Sequence, residues 1–76
     1  MTAALTIQET NTGEWTWMLL LEKGVRIHRP MMQHKTAYMA LLAAHGVAKK
    51  LSLPIGATKT YDVTGLSIPE PTRPRQ

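Results

Sequence analysis

Hydrophobic and polar positions alternate along the first thirty residues, and the alternation is interrupted twice by a polar triplet that closes on glycine. Leu5 and Ile7 precede Asn11-Thr12-Gly13; Trp15, Trp17, Leu19 and Leu21 follow it; Val25 and Ile27 lie beyond Glu22-Lys23-Gly24. A period of two marks a strand with one buried face, and a short loop ending in glycine marks a hairpin whose glycine takes the left-handed conformation. If both loops have three residues, Glu9 faces Trp15, Ile7 faces Trp17 and Leu5 faces Leu19. Leu21 then faces Val25, Leu19 faces Ile27 and Trp17 faces Arg29. One face of this meander collects Leu5, Ile7, Trp15, Trp17, Leu19, Leu21, Val25 and Ile27. A slip of one residue in either hairpin would send half of that set into water, so the two loops agree on one register.

Pro30 ends the third strand, and the period then lengthens to that of a helix running from His34 to Thr36 as far as Ser52, stopped by Pro54. Ala37, Leu41, Ala44, Ala48 and Leu51, flanked by Tyr38 and His45, form its inner stripe. The small alanines let it lie close over Trp15 and Trp17. Lys59 to Ile68 reads as a last strand whose alternation changes phase at Gly65, as a bulge requires. The predicted fold class is α+β: a three-stranded antiparallel meander, one long helix packed on one sheet face, and a short last strand, in the order β-β-β-α-β. Residues 1–68 form a single small domain in this reading. Residues 69–76, with Pro69, Pro71, Pro74, Arg73 and Arg75, form a disordered basic tail.

Charge changes this picture. From Lys23 to Tyr61 no Asp or Glu occurs, while Lys23, Arg26, Arg29, Lys35, Lys49, Lys50 and Lys59 all fall in that stretch. Soluble domains normally intersperse both signs, so a central half of one sign sets up a positive field that favours an acidic partner. The net charge of +4 for 76 residues is moderate; its distribution carries the information. A chain this short builds one modest core, and a partner easily raises its stability.

Chemistry finds little support. With no cysteine there is no disulfide framework, thiolate nucleophile or cysteine-built zinc site, which suits a reducing cytoplasm. Ser52, Ser67, the histidines and Asp62 supply the residue types of a hydrolase triad without the strand-turn-serine elbow. His28, His34 and His45 are not spaced to share a metal from one helix, and the scattered glycines form no phosphate loop. No catalytic residue, metal or cofactor is expected, and the chain reads as non-enzymatic. Apolar runs such as Trp17 to Leu21 fall far short of the ~20 residues that span a bilayer, so no membrane is expected and a cytoplasmic location is.

The predicted order of elements resembles the front half of the ribonuclease H fold, and Thr36 to Ala44 (TAYMALLAA) is similar to that family's first helix. The resemblance implies a metal held by an acid on the first strand and a glutamate early in the helix. Here Glu9 stands near the hairpin end and Ala37 at the helix position, so the metal site is not expected. Shortened, inactive versions of that fold occur in some antitoxins, which are binding proteins.

Two outer surfaces remain. The second sheet face carries Met18 and Leu20 among Thr6, Gln8, Thr16, Arg26 and His28; the outer helix face carries Met39, Ala40, Ala43, Gly46 and Val47 with Lys35 and Lys50. A helix apolar on both sides usually contacts something on both sides. The expected apolar interface is therefore Met18, Leu20, Met39, Ala40, Ala43, Gly46 and Val47, rimmed by Arg26, His28, Arg29, Lys35, Lys49 and Lys50. Self-association through the helix is expected, since a twofold homodimer reuses one patch. The functional expectation is a small binding protein that occupies an acidic surface of a larger protein or nucleoprotein. In texture it is similar to phage and mobile-element accessory proteins, including inhibitors such as anti-CRISPR proteins. The alternative is a dimeric nucleic-acid-binding regulator, antitoxin-like or transcriptional, holding phosphates through the same basic residues.

Overall fold

A computed structural model describes residues 2–21, 24–28 and 33–71, with His28 described for its backbone alone. Its elements are β1 (Ala3–Glu9), β2 (Trp15–Leu20), β3 (Arg26–His28), α1 (Ala37–Lys50), β4 (Ile55–Tyr61) and β5 (Ser67–Ile68). One helix packs on a five-stranded sheet of order β3-β2-β1-β4-β5. The α+β class stands, but the sheet has five strands where four were expected.

Both predicted hairpins keep their register: Glu9 pairs with Trp15, Ile7 with Trp17, Leu5 with Leu19, and Leu19 with Ile27. Gly13 and Gly24 sit at φ +80° and +79°, the left-handed conformation that the loops require of their closing residue. The Leu21 amide donates to the Val25 carbonyl at 2.7 Å, closing the second hairpin as expected. The expected Trp17–Arg29 pair, the Glu22-Lys23 loop positions and the end of β3 at Pro30 involve residues outside those described, as does the tail from residue 72.

The last strand needs correction. The phase change at Gly65 is the glycine bulge that closes a third hairpin, not a bulge within one continuous strand: Gly65 has φ +88°, its amide donates to the Asp62 carbonyl, and the Asp62 amide donates to the Leu66 carbonyl at 3.0 Å. The first hairpin has the same arrangement at Thr10, Gly13 and Glu14. The strand therefore divides into β4, which begins earlier at Ile55, and the short β5. The irregularity lies instead at Gly56, where the β1–β4 register steps from Ala3↔Ile55 to Ala4↔Ala57. A Cβ on Gly56 would meet the Thr2 side chain at 3.3 Å, so the missing side chain leaves that space to Thr2.

β4 runs parallel to β1, which places Thr58 beside Leu5 and Thr60 beside Ile7 on the helix-covered face. The core is Ala3, Leu5, Ile7, Trp17 and Leu19 from the sheet against Ala40, Leu41, Ala44 and Ala48 from α1. Large sheet side chains opposite small helix side chains fill a thin two-layer core. Val25, expected inside, is 56% exposed at the hairpin end.

α1 begins at the N-cap Thr36, whose Oγ1 accepts from the Met39 amide at 3.1 Å. It ends two residues earlier than expected, in a closing turn where the Ser52 amide donates to the Lys49 carbonyl and the Leu53 amide to the Ala48 carbonyl. Ser52 takes φ 56° there, which turns the chain and leaves Leu51 half exposed. Among the described residues no helix is long and apolar enough to cross a membrane.

Candidate interaction surface

Three of the four buried helix residues, Leu41, Ala44 and Ala48, lie on the expected inner stripe. The fourth, Ala40, extends that stripe on one side, and Ala37 at its expected centre is half buried. Ala40, expected in the interface, is 0% exposed and belongs to the core. The reason is packing: a methyl group is what fits between helix backbone and sheet, so alanine spelled the buried side. Ala43 and Val47 are half buried at the edge of the core, while Met39 and Gly46 face outward.

Leu42, which its helical position also places opposite the inner stripe, joins the outer face. Leu42 is 52% exposed and Met39 49%, on either side of Gly46 on the outer surface. Every formally charged side chain on α1 is a lysine: Lys49 and Lys50 end it, and Lys35 stands just before its cap. Lysines at a helix C-terminus are favoured by the helix dipole, so Lys49 and Lys50 have a local explanation. Lys35 does not, because its charge sits at the positive end of that dipole.

Between α1 and the β2–β3 edge runs a half-open groove of about 490 Å³ lined by Trp17, Ile27, His34, Ala43, Gly46, Val47, Lys50 and Leu51. Four expected interface residues, Ala43, Gly46, Val47 and Lys50, therefore meet in one depression. His34 is held by its backbone, which exchanges hydrogen bonds with Trp15 at 2.8 and 2.9 Å. Its Nε2 is buried and has no partner among the described residues.

The open sheet face forms a separate surface. Cross-strand register lines up Arg26, Leu20, Ala4 and Ala57 in one row and Met18, Thr6 and Lys59 in the next. Tyr61 lies beside Gln8 in a third. A depression of about 510 Å³ lies among Thr6, Gln8, Thr16, Met18, Arg26 and Gln33. Met18 is half buried and Leu20 reaches solvent, as expected of an uncovered face. Lys59 and Tyr61 join this face only because β4 lies parallel to β1, a pairing that strand alternation alone does not reveal. Arg29 and the His28 side chain lie outside the described residues.

Two acids, Asp62 and Glu9, are engaged in the β4–β5 loop. The Asp62 carboxylate accepts from the Thr64 hydroxyl and from the Thr64 and Leu66 amides at 2.9 and 3.0 Å. Those hydrogen bonds, the hydroxyl's foremost, hold its carboxyl below the usual range. Glu9, the position that the ribonuclease H resemblance assigns to a metal ligand, accepts from the Val63 amide at 3.0 Å. Gln8 Nε2 donates to the Asp62 carbonyl. The strand-end acid thus fastens the β4–β5 loop. Among the described residues no three His, Asp or Glu gather where an ion could sit. Compared with protein-family models, curated proteins and solved structures, the chain matches none significantly.

Proposed function

We propose that the chain is a non-enzymatic binding protein that occupies an acidic surface of a larger protein or nucleoprotein through the outer face of α1. The observation that carries this reading is the make-up of that face: Met39 and Leu42 half exposed, Gly46 bare between them, and only lysines for charge. An ordinary solvated helix face mixes acids with bases. A second copy of this helix fits less well than an acidic partner, because twofold packing through the face would bring lysines together with no carboxylate on either helix to pair them.

A photocrosslinking side chain placed at Met39 tests this reading in the cells that make the chain. The captured partner is expected to be acidic, and its purified complex to weaken as salt rises and on combined Lys49→Glu and Lys50→Glu substitution. Capture from position 18 and not from position 39 contradicts it.

The open sheet face favours a second reading, nucleic-acid binding, since its charged side chains in the paired rows are Arg26 and Lys59 with Tyr61 nearby. That reading predicts affinity for a random duplex or single strand falling steeply with salt, with a log-log slope of roughly −0.7 to −0.9 per phosphate contacted.

A further inference from the structure

We infer that the groove beside α1 is an anchor site for an apolar side chain carried on an acidic amphipathic segment of the partner, with the segment crossing α1 at Gly46. The inference rests on the reading of α1 as the binding face and adds the chemistry of what docks there.

Gly46 is the first of three observations. It lies inside a 14-residue helix, where glycine is less favourable than alanine by about 1 kcal/mol. Neither usual intramolecular reason applies: Gly46 is not among the residues of positive φ, and a Cβ built on it meets nothing within 4 Å. A helix left bare on its outer side, at a place with room for a side chain, is suited to the close approach of another backbone.

The second observation is the groove itself. Trp17, Ile27 and Val47 give it an apolar wall, and its volume of about 490 Å³ admits a leucine or aromatic side chain with room to spare. The third is polarity. Among the described residues the only formally charged side chain in the lining is Lys50, and the Nε2 of the lining residue His34 is buried without a partner. A buried polar atom left unpaired is unfavourable, and a polar group on the docked segment would satisfy it. Lys50, together with Lys35 and Lys49 on the same helix system, selects glutamate or aspartate flanking the anchor.

The probe is a blocked amphipathic peptide of leucine and glutamate, titrated into the full chain and followed by calorimetry and by emission of Trp17 in a Trp15→Phe background. Saturable heat with a change in Trp17 emission is expected. Gly46→Leu, whose Cβ has open space, should remove binding while keeping the folded circular-dichroism spectrum, and Lys50→Glu should weaken it by about tenfold or more. Equal binding of a leucine-lysine peptide overturns the inference, as does full binding by Gly46→Leu. Binding that is lost in Lys49→Glu but leaves Trp17 emission and Gly46→Leu unaffected removes the groove and spares the α1 face. Absence of heat with the acidic peptide removes both, and response of Trp17 to a single-stranded oligonucleotide alone assigns the groove to nucleic acid and overturns the inference.

Discussion

The side chains with the clearest physical tension are Thr60, Lys35 and Asp62. Thr60 is 1% exposed beside Ile7 under the helix, and its hydroxyl has no partner among the described residues. Thr60→Val keeps the shape and removes the unpaired group, so it should stabilise the fold by about 1 kcal/mol, read as a higher denaturant midpoint at unchanged slope. Lys35 disfavours the helix start with no local return among the described residues, which fits the proposed acidic partner. Asp62 ties stability to acid. Its carboxyl is held down in the folded state by the Thr64 hydroxyl and neighbouring amides, so its contribution is present above the unfolded value of about 3.9 and is lost as pH falls through the lower folded value. Asp62→Asn keeps an acceptor oxygen but cannot titrate. Chemical denaturation at a series of pH values should show a shallower loss of stability in acid for this variant than for the parent chain.

At the scale of elements, α1 connects stability to binding. Gly46→Ala should raise helix stability by about 1 kcal/mol, shifting Tm upward by roughly 4–8 °C for a domain of this size. A calorimetric scan showing no gain or a loss would mean that Gly46 is already needed inside the fold. Over the described residues the meander's register was legible in the sequence, because Gly13 and Gly24 close two loops and the Trp15–Leu21 alternation admits one register. β5 was not, although Val63-Thr64-Gly65 repeats the spacing of Asn11-Thr12-Gly13; a two-residue strand offers no alternation to recognise. The helix's inner stripe was legible at Leu41, Ala44 and Ala48. Alanine is silent about which side it occupies, so Ala40 was placed outside, and Leu42 passed unnoticed beside Met39 and Gly46 on the outward side. Parallel pairing of β1 with β4 depends on contacts distant in sequence, and it alone brings Lys59 and Tyr61 onto the open face.

For the whole molecule, the acid-free stretch resolves into two surfaces on opposite sides of one thin core. The α1 side offers exposed Met39 and Leu42, a bare glycine and a groove; the sheet side offers Met18 and Leu20 between Arg26 and Lys59. The carboxylates described in detail, Glu9 and Asp62, fasten the β4–β5 loop. In the proposed reading the acidic partner meets the positive field over the helix. The most direct measurement is amide chemical-shift mapping of the full chain with the leucine-glutamate peptide and, separately, with a single-stranded oligonucleotide at the same salt. Shifts from the peptide at Met39, Leu42, Gly46 and Val47, with the sheet face unmoved, are the predicted result. Shifts confined to Met18, Arg26 and Lys59, with α1 silent, would contradict it.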